Sequence, residues 1–153
     1  MKALVQIITA LVVIINFGCC DKTEPKTDYV VFGDYYGMCG GDGCIDYYKI
    51  ENGIIYKDLL NEYPSNNINH HFNVYNGPYS MSILDLQNEI PDLIYSETNS
   101  IGMPDAYDQG GYYLEICNNG NITNWKIDKN SQDVPAYLHT LCDSMQHYLE
   151  ALE

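Results

Sequence analysis

Arginine is absent from the 153 residues, and seven lysines stand against 21 acidic residues for a formal net charge of −14. A chain of that sign is repelled by phosphate backbones, so no nucleic acid partner is expected. Long apolar runs are also missing. The longest, Ala3 to Ile15, is 13 residues broken only by Gln6 and Thr9, whereas a spanning helix needs roughly 20. Catalytic signatures are absent as well: there is no Gly-x-Ser-x-Gly elbow, no His-Glu-x-x-His helix and no phosphate loop followed by Lys-Ser/Thr, which argues against an enzyme. Tight pairs of metal-binding residues are scarce. Cys39-x4-Cys44 has no second Cys or His pair, His70 and His71 are adjacent, and His139 and His147 lie two helical turns apart, so no metal site is expected. Asp42, Asp105 and Asp108 sit in glycine-rich stretches without the twelve-residue calcium-loop pattern, and turn chemistry accounts for them.

What is present is a foldable chain, 46% hydrophobic with 15 tyrosines, of a length suited to one domain. Met1-Lys2, the apolar run and Asn16-Phe17-Gly18 ahead of Cys19 have the layout of a secretory signal peptide over residues 1–18. Gly18-Cys19 resembles the lipobox of bacterial lipoproteins, which implies a diacylglycerol thioether on Cys19 as the new N-terminus. That covalent lipid is the only cofactor expected. Residues 19–28 include the polar, proline-bearing segment Asp21 to Asp28 and read as a flexible tether. From Cys19 onward six lysines against 21 acids leave −15, so acyl chains rather than headgroup attraction would hold the protein to a membrane. The acidic stretch after the cysteine is similar to the export signal of surface lipoproteins in the Bacteroidota.

Residues 29–153 read as a single α+β domain. Tyr29 to Tyr36, Ile45 to Ile50 and Ile54 to Lys57 are rich in aromatic and β-branched residues and predict three strands, the last two joined by a hairpin at Asn52-Gly53. His71 to Tyr75 adds a short fourth strand. Ser80 or Ser82 caps a helix carrying Ile83, Leu86 and Ile90, with Leu93 beyond a kink or stop at Pro91. Glu97 to Gly111 reads as a long loop, and Tyr112 to Cys117 and Ile122 to Ile127 as a strand pair. Leu138, Leu141, Cys142, Met145, Leu149 and Leu152 form one stripe of a closing helix that begins near Asp133 and Pro135. The expected order is β-β-β-(β)-α-β-β-α, an antiparallel sheet with two helices packed on one face.

The exported part holds Cys39, Cys44, Cys117 and Cys142. Export permits disulfides, and the glycines between Cys39 and Cys44 allow that small ring to close. Cys117 and Cys142 form either a second bridge, stapling sheet to helix, or two buried thiols. The pairs Tyr35-Tyr36, Tyr47-Tyr48 and Tyr112-Tyr113 place one ring on each face of a strand, one entering the core and its neighbour meeting solvent, where it serves partner or sugar binding or, as the favoured reading, ordinary cross-strand aromatic packing.

The motifs Phe32-Gly33-x-x-Tyr36-Gly37-x-Cys39-x-Gly41-x-x-Cys44, Gly102-x-Pro104-Asp105-x-x-Asp108-Gln109-Gly110-Gly111-x-Tyr113 and Trp125-x-Ile127-Asp128 resemble a family of uncharacterised Bacteroidota lipoproteins. The resemblance implies a cell-envelope location, outer membrane on its periplasmic or surface face, and no particular activity. A fainter likeness in layout, carried by the glycine pair of the early hairpin and Pro104-Asp105, is to emfourin-type metalloprotease inhibitors. The leading expectation is a lipid-anchored, non-catalytic domain that binds an envelope protein or a glycan through Tyr36, Asp42, Asp105, Asp108, Gln109 and Tyr113. A protease inhibitor and a thiol-dependent enzyme are the alternatives.

Overall fold

The computed structural model describes residues 28–39, 43–65 and 68–152. The signal peptide, Cys19, the tether up to Thr27, and Asp42 lie outside the described residues.

The fold is α+β, an open seven-stranded sheet with two helices. Strands β1 (Tyr29–Tyr35), β2 (Ile45–Glu51), β3 (Ile54–Asp58), β4 (Phe72–Val74), β5 (Ser100–Ile101), β6 (Gly111–Asn118) and β7 (Asn121–Asp128) stand in the order β4-β3-β2-β1-β6-β7-β5. Two tight hairpins fix the register. Asn52 and Gly53 take φ of 52° and 73°, and Asn119 and Gly120 take 50° and 79°, the pair of positive angles that a two-residue turn needs to match strand twist. Their flanking partners are Glu51 with Ile54 and Asn118 with Asn121. Gly33 in central strand β1 has a packing role. A Cβ there would collide with the Asp46 carbonyl and the Tyr47 ring, so the missing side chain lets Tyr47 lie across β1.

The sequence expectation needs three corrections. Ser100–Ile101 forms a strand inside the expected 97–111 loop and pairs in parallel with Lys126–Ile127 of β7, so the sheet is not wholly antiparallel. Two residues carry no periodicity, and the pairing depends on the tertiary bond from Lys126 N–H to the Asn99 carbonyl at 2.9 Å. The expected helix after Ser80 is instead a 3-10 turn, Met81–Asp85, followed by the one-turn helix α1, Leu86–Glu89. Ser80 is its cap, accepting from Ser82 N–H. Pro91 ends it, and a new 3-10 turn, Asp92–Ser96, restarts the phase. Ile94 is therefore buried, while Leu93 is 59% exposed.

The closing helix α2, His139–Leu152, follows a 3-10 turn at Ala136–Leu138. Its Leu141, Met145 and Leu149 share one apolar cluster with Leu86 of α1 and with Val30, Phe32, Tyr48, Leu114 and Trp125. Alternate residues of the same strands, Val31, Tyr35, Tyr47 and Tyr113, form a second cluster, because successive strand side chains point to opposite faces. Tyrosine tips close the helix end. Tyr48 and Tyr75 hydroxyls donate to the Leu152 carbonyl at 3.3 and 2.8 Å, partnering an acceptor that a helix C-terminus leaves open.

The third correction concerns the tyrosine pairs. Tyr35, Tyr47, Tyr48, Tyr112 and Tyr113 are all buried and only Tyr36 is half-exposed. Residues of the β3–β4 connection take the place of solvent on the second face. Tyr63 packs edge-on against Tyr35, and His70 does so against Tyr47. Asp58 closes the neck of that connection, its carboxylate accepting from His70 Nδ1 at 2.9 Å and from the His71 N–H at 2.6 Å.

Candidate functional site

Three segments meet at the end of the sheet where β1 finishes, β2 begins and β6 begins. Tyr35 is the partner of both Ile45 and Gly111, so the chain leaving β1, the disulfide Cys39–Cys44 and the 102–110 loop emerge together. The disulfide has a Cα–Cα distance of 5.5 Å, and Tyr36 N–H donates to the Cys44 carbonyl at 2.9 Å beside it.

Asp105 is the tie between these segments. Its Oδ2 accepts from Gly37 N–H at 2.9 Å and from the Tyr63 hydroxyl at 3.0 Å, and its Oδ1 accepts from Gly110 N–H at 3.1 Å. Asp105 N–H in turn donates to the Gly110 carbonyl at 2.9 Å, closing the loop on itself. The residue adopts φ of 61°, which aspartate and asparagine tolerate better than most residues. A Cβ at Gly37 would strike the Asp105 carboxylate, so any other residue there would have to displace that carboxylate. Burial together with the neighbouring Asp105 charge raises the pKa of Tyr63, keeping its hydroxyl a donor.

Asp128 braces the loop from beneath. Buried to 2% exposure, it accepts from Met103 N–H at 2.9 Å and from Asn130 N–H at 2.8 Å. Gln109 lies between, its amide donating to the Met103 carbonyl at 3.1 Å while its Oε1 accepts from Tyr107 N–H at 2.7 Å. Lys129 holds the other flank. Its ammonium lies 2.8 Å from Asp34, donates to the Tyr36 hydroxyl and stands 4.0 Å from the centre of the Tyr36 ring.

The expected binding residues therefore separate by role. Asp105, Gln109 and Tyr36 are brought together and spend their polar groups inside the site. Asp108 is exposed at φ 60°, while Asp42 is outside the described residues. Tyr113, expected among the binding residues, is 1% exposed and its hydroxyl donates to Glu115 at 2.7 Å, so its ring packs inside the fold and does not face a partner. The large apolar and aromatic groups exposed at this end are ones the sequence did not single out: Met38 at 79%, Tyr107 at 80%, Met103 at 52% and Tyr63 at 46%. Sequence reasoning missed them because an exposed apolar residue shows no periodicity, although each lies beside a motif residue already singled out or makes a bond to one.

The alternative of a Cys117–Cys142 staple is corrected too, since both are free thiols. Cys117 follows Ile116, whose side chain joins the cluster of α2, so the strand alternation turns the Cys117 side chain to the opposite face. Burial and the nearby Asp143 charge push the Cys142 thiol up to about 11, which works against thiolate chemistry. Among the described residues no three of His, Cys, Asp and Glu gather where they could hold a metal ion, and no helix is long and apolar enough to cross a membrane.

No protein-family model matches the chain, and no curated protein matches it.

Proposed function

We propose that the protein is a lipid-anchored component of a bacterial cell envelope, tethered through Cys19, whose acidic α+β domain binds another protein without catalysing a reaction. Location rests on the signal-like order of residues 1–18 and the Gly18-Cys19 pair. Binding rests on one observation: the Asp105 carboxylate joins three segments that carry exposed Met38, Tyr63, Met103 and Tyr107. Holding apolar side chains out on braced loops reduces the ordering cost that binding would otherwise incur. Methionine and tyrosine are the residues that interface centres favour, and the two methionines suit an apolar protein surface better than a sugar.

The charge of the chain specifies the rim of that partner. Lys49, Lys57 and Lys129 each lie 2.8 Å from a carboxylate, and with 21 acids in the sequence the field around the loops favours basic groups around an apolar centre. The test compares envelope proteins retained by the wild-type chain, by a Met38→Ser/Tyr107→Ser variant and by a Leu93→Ser control. One protein held by wild type and control and lost by the double variant supports the surface. Equal retention by all three overturns it, and a retained polysaccharide in place of a protein would move the reading to glycan binding.

A protease inhibitor is the second reading, favoured by the fixed ends and 80% exposed Tyr107 of the 103–109 loop. A metalloprotease panel separates it from the first. Inhibition lost on Tyr107→Ser would establish an inhibitor loop, and no inhibition at high molar excess would remove that reading.

A further inference from the structure

A further set of polar side chains gathers at the β5–β7 edge, on the sheet face opposite α2. Tyr113 of β6 is the cross-strand partner of Lys126, and Ser100 of β5 is its parallel partner on the other side. Asn124, two residues back, points to the same face, while Trp125 and Ile127 enter the main cluster. With Asn99 these side chains line a cavity of about 350 Å³, large enough for one small ligand.

The charge of this cavity sets it apart in an acidic protein. Lys49, Lys57 and Lys129 each stand 2.8 Å from a carboxylate, whereas the half-buried Lys126 has no carboxylate partner among the described residues. No acidic residue lines the cavity among them either. Glu115, the cross-strand partner of Asn124, is 9% exposed and holds the Tyr29 and Tyr113 hydroxyls at 3.0 and 2.7 Å, so that carboxylate is already engaged. Asn99 is fixed in place: its Nδ2 donates to the Asn124 carbonyl at 2.8 Å, and its own carbonyl accepts from Lys126 N–H at 2.9 Å. That leaves the Asn99 Oδ1, the Asn124 amide, the Ser100 hydroxyl and the Lys126 ammonium without a hydrogen-bond partner among the described residues. The Tyr113 ring, at 1% exposure, offers no face for stacking, so recognition here is polar.

We propose that this cavity binds a hexuronate, a sugar acid whose carboxylate sits on the Lys126 ammonium and whose hydroxyls meet Asn99, Asn124 and Ser100. The single uncompensated ammonium selects a single negative charge. Amides and a hydroxyl both donate and accept, which matches neighbouring sugar hydroxyls and gives a simple carboxylate no comparable set of bonds. The site lies apart from the Met38 and Tyr107 surface and rests on nothing in the protein-binding reading.

The test titrates the full-length chain with sodium glucuronate at constant ionic strength and follows backbone amide resonances. The expected result is saturable shifts at Ser100, Asn124 and Lys126, with glucose and acetate each binding at least tenfold more weakly. Lys126→Met should weaken glucuronate roughly tenfold or more, the size of one charge-assisted hydrogen bond, and Lys126→Arg should restore most of the affinity. Fluorescence of Trp125, 1% exposed beside the site, verifies that each variant is folded. Absence of saturable shifts with glucuronate, unchanged affinity in folded Lys126→Met, or equal affinity for glucose or acetate would each overturn the proposal. Failure of the protein-binding reading would appear separately, as equal retention by the wild-type chain and the Met38→Ser/Tyr107→Ser variant.

Discussion

Replacing Asp105 should loosen the whole loop end of the sheet, and the size of the effect follows from its bonds. The carboxylate accepts three hydrogen bonds, from Gly37 N–H, the Tyr63 hydroxyl and Gly110 N–H, at 2.9 to 3.1 Å. Water reaches this half-buried site, so each bond contributes near the low end of the usual range, about 0.5–1 kcal/mol. Asp105→Ala loses all three and must also place alanine at φ 61°, a left-handed conformation costing roughly 1 kcal/mol for a residue without a short polar side chain. The expected loss is about 3 kcal/mol. Asp105→Asn tolerates the same φ and keeps a carbonyl acceptor, so its expected loss is about 1 kcal/mol. Denaturant unfolding of both variants gives the difference, and hydrogen exchange at the Gly37 and Gly110 amides localises it. A stability for Asp105→Ala within about 0.5 kcal/mol of wild type, or unchanged exchange at those two amides, would refute the tie.

Tyr47→Phe should stabilise the fold by about 1 kcal/mol, since the Tyr47 hydroxyl is buried and finds no hydrogen-bond partner among the described residues; a loss of stability on denaturation would contradict that account of the aromatic cluster. Cys39→Ser with Cys44→Ser removes a cross-link between residues five apart and should cost about 2 kcal/mol by chain entropy, measured by the same unfolding, and an unchanged midpoint would contradict a stabilising bridge. Asp58 is desolvated, which raises its pKa, but hydrogen bonds from His70, His71 N–H and Leu60 N–H together carry it below the ordinary carboxylate value. Its contribution is therefore present above about pH 4 and lost as pH falls through the lowered folded value. In a pH series of unfolding free energies Asp58→Asn should flatten that acid limb, and an unaltered limb would assign acid sensitivity elsewhere.

Elements with a repeating local signal were legible in the sequence. The Asn52-Gly53 and Asn119-Gly120 turns, β1 to β3, and the stripe of α2 each follow from neighbours along the chain, and Cys39–Cys44 follows from a short ring with flexible residues. The parallel pair β5–β7 was not legible, because Ser100 and Ile101 are strand only by virtue of Lys126 bonding to Asn99. Nor was the covering of the second sheet face, which turned the outward tyrosines inward. At the candidate site the sequence singled out the segments that Asp105 ties together. The polar groups of Asp105 and Gln109 bond within and between these segments and the Tyr36 hydroxyl accepts from Lys129, while Met38, Tyr63, Met103, Tyr107 and Asp108 are exposed. A motif fixes which residues need each other, and only the folded geometry divides internal ties from outward contacts.

The most direct measurement is the intact mass of the native chain recovered from the membrane fraction of the organism that makes it, alkylated with and without prior reduction. An anchored, exported domain predicts a chain beginning at Cys19 with the added mass of a diacylglycerol thioether, and Cys39 and Cys44 labelled only after reduction. A full-length or unlipidated chain, with Cys39 and Cys44 labelled before reduction, would contradict it.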